Sequence, residues 1–231
     1  MADRFALYLA PPADDPLHGF AAAWLGRDPE TGESVTAAAA GGLSASRIAA
    51  LTAEPRRYGL HATLKPPFRL ADGCNEAQLI LALEQFAGRR RPFRLPPLQL
   101  AALGGFLALR PSAPSAEADD LAAACVREFD PFRASADEGE LVRRRAAGLT
   151  PRQEEYLLRW GYPYVLEEFR LHFTLTGRVT DEAERSALLQ HLERETKPFT
   201  RKPVAVDEIC LFVQPAPDAN FRIAGRYRLG G

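Results

Sequence analysis

The chain has 231 residues, of which 46% are hydrophobic and 26% are charged, and its formal net charge is −1 at pH 7. This length suits one large domain or two small lobes with a sizeable core, and the near-zero charge argues against a protein that binds long nucleic acids. No apolar run is long enough to span a membrane, and the N-terminus lacks the pattern of a signal peptide. We therefore expect a soluble, cytoplasmic and monomeric protein.

The first half of the chain predicts alternating strands and helices. Capping residues such as Ser44 and Asn75 mark helix starts, and glycines mark helix ends. The segment "YGLHATLKPP" at 58–67 predicts a strand that two prolines terminate. The elements predicted here are strands at 4–10 and 58–65, helices at 16–26, 44–54 and 75–88, and a hairpin at 97–110 that turns at Gly104-Gly105.

The second half repeats this order after a helical connection. Residues 112–160 are rich in Ala, Glu and Arg and predict two or three helices, the last of them capped by Thr150. Then come a predicted strand at 168–179, a helix from 181, and a hairpin within 204–229.

This internal repeat predicts the architecture. In each half a histidine-bearing strand is followed by a helix, by "RPF" or "KPF", and by paired strands. We expect a single bilobal α+β domain, with two pseudo-symmetric lobes of antiparallel sheet, helices packed outside and an active-site cleft between the lobes. The first copy covers about 58–110, the helical connection about 112–160 and the second copy about 168–229.

The tetrapeptide His-x-Thr-Leu occurs twice, at 61–64 and at 172–175, although the chain has only four histidines. Side chains at i and i+2 of a strand share a face. One face therefore carries the polar residues of each copy, and the apolar residues point to the core. The polar sets are Gly59, His61, Thr63 and Lys65 in the first copy, and Arg170, His172, Thr174 and Thr176 in the second.

Paired imidazoles and hydroxyls suit acid–base chemistry on a phosphate. A neutral imidazole accepts a proton and an imidazolium donates one near pH 7, while a threonine hydroxyl donates to a phosphate oxygen. We therefore predict that His61 and His172 are catalytic and that Thr63 and Thr174 bind the substrate. No carboxylate or cysteine stands at ligand spacing beside either histidine, so we expect no metal and no cofactor.

Other residues are weaker candidates. Lys65 and Arg170 lie on the predicted polar faces, Arg226 lies on the outer face of the last strand, and Tyr58 can stack on a base or ribose. Each has a structural alternative, which is a solvated charge for the three cations and core packing for Tyr58. We expect the remaining histidines, His18 and His191, at the surface.

The two motifs resemble the signature of the 2H phosphoesterase superfamily, which carries two His-x-Thr/Ser motifs in pseudo-symmetric lobes. The segments "YGLHATLKPPF" and "FRLHFTLTG" are similar to the bacterial DUF1045 subgroup, which is linked to phosphonate-metabolism operons. The resemblance covers nearly the whole chain, and His61, Thr63, His172 and Thr174 all match. It implies enzymes that hydrolyse or form cyclic or 2′-linked phosphodiesters without a metal. By analogy, His172 activates water and His61 protonates the leaving oxygen.

Three functions agree with these patterns. The first is a metal-independent phosphodiesterase that acts on a small phosphorylated substrate, either a 2′,3′-cyclic nucleotide or a ribose cyclic phosphate. The second is an RNA 2′–5′ ligase-like or RNA-end-processing protein, against which the lack of positive charge argues. The third is a non-catalytic phosphate or nucleotide binder, which would not need two titrating histidines.

Overall fold

The computed structural model describes residues 3–36, 39–146 and 148–231, and these form nine strands and eight α-helices. The strands are β1 (Arg4–Leu9), β2 (Ala62–Arg69), β3 (Phe93–Leu95), β4 (Leu98–Leu103), β5 (Phe106–Pro111), β6 (Phe173–Thr174), β7 (Val204–Val206), β8 (Glu208–Gln214) and β9 (Arg222–Arg228). The helices are α1 (Pro16–Leu25), α2 (Ala45–Leu51), α3 (Ala53–Arg56), α4 (Glu76–Gly88), α5 (Ala116–Glu128), α6 (Glu138–Arg145), α7 (Pro151–Trp160) and α8 (Glu182–Thr196). Among these helices none has the length and apolar character needed to cross a membrane.

Antiparallel pairing organises the strands into three sheets. The largest has the order β2-β1-β8-β9, the second has the order β4-β5-β6, and β3 pairs with β7. Helices α4, α5 and α8 pack on β9, β2 and β4 respectively. The predicted α+β class with antiparallel sheets and packed helices is thereby confirmed.

Each copy of the sequence repeat places the strand that follows its histidine in the sheet that contains the hairpin of the other copy. Strand β2 follows the first histidine, yet it lies in the sheet that contains β8 and β9, the hairpin of the second copy. Strand β6 follows the second histidine and pairs with β5, which belongs to the hairpin of the first copy. Neither copy therefore builds its sheet alone, and the division of the chain into copies describes sequence order rather than independently folding units.

The largest sheet has an apolar layer on each face. Alternate residues of β1 and β8 enter the main core, and the others enter a smaller cluster on the opposite face. The main core takes Phe5, Leu7, Leu9, Ile209, Leu211 and Val213; the smaller cluster takes Ala6, Tyr8, Cys210 and Phe212 together with Phe221 and Ile223.

Local signals fix several element boundaries as predicted. Asn75 and Thr150 each form a reciprocal capping box at the start of α4 and α7. The β4–β5 hairpin turns at Gly104 and Gly105, whose φ values of 55° and 104° suit the two central positions of a tight hairpin turn.

Three predictions about local structure are wrong. The strand expected at 58–65 and terminated by two prolines is instead β2, which starts at Ala62 and continues through both prolines to Arg69, because proline is tolerated in an edge strand. The strand expected at 168–179 is reduced to β6 because the amides of Leu175 and Thr176 both donate to the carbonyl of Leu107, which ends the ladder. A 3₁₀ helix at Leu166–Glu168 precedes it. His18, expected at the surface, is buried, with Nε2 lying 3.2 Å from a carboxylate oxygen of Asp28.

Truncating Leu211 tests the importance of the main core. This side chain has no exposed surface in the central strand β8, so Leu211→Ala should lower the free energy of unfolding by about 2–5 kcal/mol. The control is Leu81→Ala on α4, where the side chain is 55% exposed and the expected change is within about 0.5 kcal/mol. Urea denaturation measures both, and equal losses would contradict this description of the core.

Candidate functional site

Both histidines are anchored in the same way by the main chain two residues earlier. Nδ1 of His61 lies 2.9 Å from the carbonyl oxygen of Gly59, and Nδ1 of His172 lies 2.6 Å from that of Arg170. A carbonyl oxygen only accepts, so Nδ1 carries the hydrogen in each ring. Each Nε2 is then the nitrogen that can accept or donate a proton, and no described residue hydrogen-bonds to either one.

Aromatic rings surround His61. Its ring centroid lies 4.2 Å from that of Tyr8, 5.1 Å from that of Tyr58 and 6.1 Å from that of Phe212. Removal from water, with a smaller contribution from the charge of His172, lowers its pKa to about 4 against the opposing effect of the Gly59 carbonyl. His61 is therefore neutral at pH 7, and the two imidazoles are within electrostatic reach of each other.

His172 comes from the other large sheet. It immediately precedes β6, is half-buried, and its ring centroid lies 5.6 Å from that of Phe106 at the start of β5. Each histidine thus stands immediately before an edge strand, His61 before β2 and His172 before β6, and these strands belong to two different sheets.

The threonines of the two motifs are half-buried, and their hydroxyls make no hydrogen bond to a described residue. Thr63 stands opposite Tyr8 in the β1–β2 register, and Thr174 stands opposite Ala108 in the β5–β6 register. Neither hydroxyl has a hydrogen-bond partner among the residues that the structure describes. Thr176 differs, because it is buried and its hydroxyl accepts from the amide of Leu107, so it is not part of the polar face on which it was predicted.

The structure does not bring Lys65 to the histidines. Thr63 pairs with Tyr8 but Lys65 pairs with Leu7, so Leu64 is an extra residue in β2 and the alternation of faces breaks there. Lys65 is only 1% exposed, and its Nζ donates to the carbonyl of Val126 and lies 3.5 Å from Asp130. Burial lowers its pKa to about 8, and this lysine joins β2 to the helical connection.

Two other cations that were predicted to bind the substrate are bonded to protein groups instead. Arg226 pairs with the carboxylates of Glu30 and Glu208 and also donates to the carbonyl of Pro11. Arg170 donates to the carbonyls of Glu167 and Phe169, 2.7 and 2.6 Å away, so its guanidinium is turned back to its own segment. Of the weaker candidates, only Tyr58 contacts a histidine, and it also stacks on Phe221 at 4.8 Å.

The sequence analysis missed Tyr8, which lies beside His61, and two residues that act on Tyr8 electrostatically. Tyr8 lies beneath the imidazole but comes from β1, about fifty positions away in the chain. Tyr162 and Arg144 come from the helical connection, and the guanidinium carbon of Arg144 lies 4.7 Å from the Tyr162 ring centroid. Burial raises the pKa of Tyr8, and Arg144 and Tyr162 both act on it electrostatically. No local motif marks these residues, because only the folded chain brings them together.

A separate cavity of about 690 Å³ contains neither histidine. It lies between the end of β1, the segments around Pro92 and Pro198, and strand β7. Of the second motif, Phe173 lines this cavity, but neither His172 nor Thr174 does.

Replacing Gly59 tests the anchoring of His61. Gly59 has a φ of 77°, and a Cβ there would lie 2.5 Å from Cγ of Pro29, so Gly59→Ala should strain the loop that supplies the anchoring carbonyl. Gly73→Ala is the matched control, because Gly73 has a φ of 81° but nothing within 4 Å of the added carbon. Urea denaturation should show a loss about 1–3 kcal/mol larger for Gly59→Ala. Equal losses would mean that the contact with Pro29 is unimportant.

Comparison with known proteins gives matches over most of the chain. Residues 63–222 match the model of the family described as protein of unknown function (DUF1045). Two curated relatives are named ribose 1,5-bisphosphate phosphokinase PhnN. The relative from Janthinobacterium sp. (strain Marseille) is 38% identical over 94% of this chain and 49% of its own length. The relative from Laribacter hongkongensis (strain HLHK9) is 37% identical over 95% of this chain and 50% of its own length. The chain thus spans about half the length of these relatives.

Solved structures give a weaker likeness. Escherichia coli LigT complexed with 3′-AMP is 16% identical over the full length of both chains with a TM-score of 0.43, and a structure described as a phosphoesterase is 16% identical with a TM-score of 0.44. Similarity at this level says nothing about the reaction. The family match covers more than half of the chain and agrees with the subgroup predicted from the motifs. The protein belongs to the DUF1045 family.

Proposed function

We propose that this protein is a metal-independent phosphodiesterase that opens a cyclic phosphate with His61 and His172 as a proton acceptor and donor pair. The observation that carries the proposal is their matched geometry: each ring is held through Nδ1 by the carbonyl two residues earlier. Each therefore offers Nε2 for proton transfer, and each motif adds a threonine hydroxyl without a partner among the described residues.

The reaction needs one proton to be removed and one to be supplied. As water attacks phosphorus, a neutral Nε2 takes its proton; as the ring P–O bond breaks, an imidazolium Nε2 protonates the leaving oxygen. The hydroxyls of Thr63 and Thr174 donate to the non-bridging oxygens, where negative charge changes during attack. The resemblance assigns water activation to His172 and leaving-group protonation to His61, and proton exchange with solvent resets the pair after turnover.

In this mechanism, substrate binding causes His61 to take up the proton that it later donates. Without bound substrate this imidazole should be neutral at pH 7, because burial and His172 lower its pKa to about 4. A phosphodiester anion beside the ring favours the charged form and so raises this pKa. Binding would then take up a proton, which is the proton that the leaving oxygen requires.

The names of the curated relatives support a ribose phosphate as substrate. Those proteins are named for ribose 1,5-bisphosphate, and this chain matches about half of their length. Opening a cyclic phosphate on a ribose that carries a second phosphate yields a ribose bisphosphate. A ribosyl cyclic phosphate is therefore the leading substrate class, in agreement with the link to phosphonate metabolism that the resemblance implies.

A substrate screen tests the proposal directly. Ribose cyclic phosphates and 2′,3′-cyclic nucleotides are incubated with the protein in EDTA, and products are separated by ion exchange. Hydrolysis of a member of either class in EDTA supports the proposal. Turnover that needs an added divalent ion, or binding of cyclic phosphates without any turnover, contradicts it.

Alanine variants of the histidines separate their roles. His61→Ala and His172→Ala should each lower kcat on a cyclic phosphate by about 10²–10⁴-fold. With a 4-nitrophenyl phosphodiester, whose leaving group departs without a proton, His61→Ala should lose far less activity, whereas His172→Ala should lose as much as before. His191→Ala on α8 is the control and should retain activity. Near-wild-type kcat in either motif variant would disprove the paired mechanism.

The pKa of His61 should depend on the ligand. Histidine NMR titration, with His61 assigned from the spectrum of His61→Ala, should give a value of about 4 in the free protein. Saturation with the reaction product should raise it. Because the unfolded value is 6.5, the free protein should also lose stability as the pH falls from about 6.5 to 4. A free value near 6.5, or no change with ligand, would contradict this description.

A further inference from the structure

The loop at 28–33, which follows α1, packs against the residue that anchors His61. The carbonyl of Gly59 accepts from Nδ1 of His61, 2.9 Å away. A Cβ at Gly59 would lie 2.5 to 2.9 Å from three ring carbons of Pro29, so the buried proline ring lies directly against the Cα of Gly59. Because a pyrrolidine ring fixes its own φ, Pro29 is a rigid surface at this point. The position of Pro29 therefore limits where the anchoring carbonyl can lie.

The main chain joins both sides of this contact to the start of β9. The amide of Ile223 donates to the carbonyl of Pro29 over 2.9 Å, and the amide of Phe221 donates to that of Arg57 over 2.7 Å. Strand β9 is an edge strand of the largest sheet. The 28–33 loop and the segment before His61 therefore lie side by side along that edge, which brings Pro29 next to Gly59.

An ion pair ties the same loop to β9. The carboxylate of Glu30 accepts from Nη2 of Arg226 over 2.8 Å and from Nε over 3.2 Å. The guanidinium also donates to the carbonyl of Pro11, 3.0 Å from Nη2, and pairs with the carboxylate of Glu208. The side chain of Arg226 is only 18% exposed, and a two-point contact with such a fixed guanidinium resists reorientation. Since Glu30 directly follows Pro29, the ion pair holds the proline ring in place.

Internal bonds make the 28–33 loop a stiff unit. The carboxylate of Asp28 accepts from the amide of Glu30 over 2.7 Å and lies 3.2 Å from Nε2 of His18 on α1. The amide of Asp28 donates to the carbonyl of Glu33, and the amide of Gly32 donates to the carbonyl of Asp28. A displacement at Glu30 is therefore passed on to Pro29 rather than absorbed within the loop.

We propose that Glu30 and Arg226 are positioning residues, which hold Pro29 against Gly59 and thereby fix the tautomer and the orientation of His61. The effect on rate rests on the proposed function, whereas the effect on the tautomer needs no turnover. The hydrogen bond that one ring nitrogen makes decides which nitrogen carries the hydrogen. If the Gly59 carbonyl shifts, the neutral ring takes up both tautomers, and a ring with its hydrogen on Nε2 cannot accept a proton there.

Histidine NMR tests the proposal in the free protein. At pH 7 His61 is neutral, and long-range proton–nitrogen correlations distinguish the two tautomers of a neutral imidazole. The wild-type ring should carry its hydrogen on Nδ1 alone. Glu30→Ala removes the carboxylate and should give a mixture of tautomers. Glu30→Gln keeps an oxygen that accepts from Arg226, so it should restore most of the Nδ1–H form.

Two substrates separate a misplaced His61 from a general loss of activity. Glu30→Ala should lower kcat on a cyclic phosphate by about 10- to 100-fold with little change in KM, because the imidazole is misplaced while the groups that bind the substrate remain. With the 4-nitrophenyl phosphodiester, whose leaving group departs without a proton, the same variant should stay close to the wild type.

Glu33 provides the matched control. It is an exposed residue of the same loop, so Glu33→Ala changes the net charge equally and should leave both the tautomer and the rates unchanged. Pro29→Ala removes most of the ring and keeps the carbonyl to which Ile223 donates. It should give the same tautomer mixture as Glu30→Ala, and it serves as the second test if Glu30→Ala fails to fold.

The outcomes distinguish this inference from the proposed function. The Nδ1–H form alone in Glu30→Ala, an equal mixture in Glu33→Ala, or equal losses of rate on both substrates overturns the positioning role. A mixture in Glu30→Ala but not in Glu33→Ala, in a protein that hydrolyses no cyclic phosphate, supports the positioning role and overturns only the proposed reaction.

Discussion

The position of β1 between β2 and β8 is the constraint on which the rest of the structure depends. Its register aligns Thr63, Tyr8, Cys210 and Arg226 in one row across the largest sheet, all on the same face. The ring of Tyr8 thereby packs against the imidazole of His61. This packing helps to remove the imidazole from water. The same pairing joins a strand of the first motif copy to the hairpin of the second, so the sheet forms only when both halves of the chain are in place.

A second constraint acts at each histidine. The carbonyl that accepts from Nδ1 belongs to the residue two places earlier, so the His-x-Thr motif fixes the tautomer through the main chain rather than through a third side chain. This arrangement needs particular backbone conformations, and at Gly59 it needs a residue without a Cβ. Folding therefore fixes which nitrogen of each ring can exchange a proton, and in the proposed reaction the substrate sets the charge state of His61.

The sequence predicted the parts of this structure that depend on local patterns. The helix caps at Asn75 and Thr150 and the Gly104-Gly105 hairpin are encoded by a few neighbouring residues. The positions and partners of the cations Lys65 and Arg226 could not be predicted from local patterns. One extra residue in β2 turns Lys65 toward the core, and Arg226 pairs with Glu30, which lies 196 positions away in the chain. Such partners become known only from the tertiary fold, as does Tyr8 beside His61.

The pH dependence of kcat/KM on the best cyclic phosphate tests the central claim most directly. If one imidazole must be neutral and the other charged, the wild-type profile is bell-shaped, since each limb reports one group of the free protein. The account predicts that His61→Ala and His172→Ala each remove a different limb along with most of the rate. A profile with one limb, or one whose two limbs persist in both variants, would show that the two histidines do not act as a proton donor and acceptor.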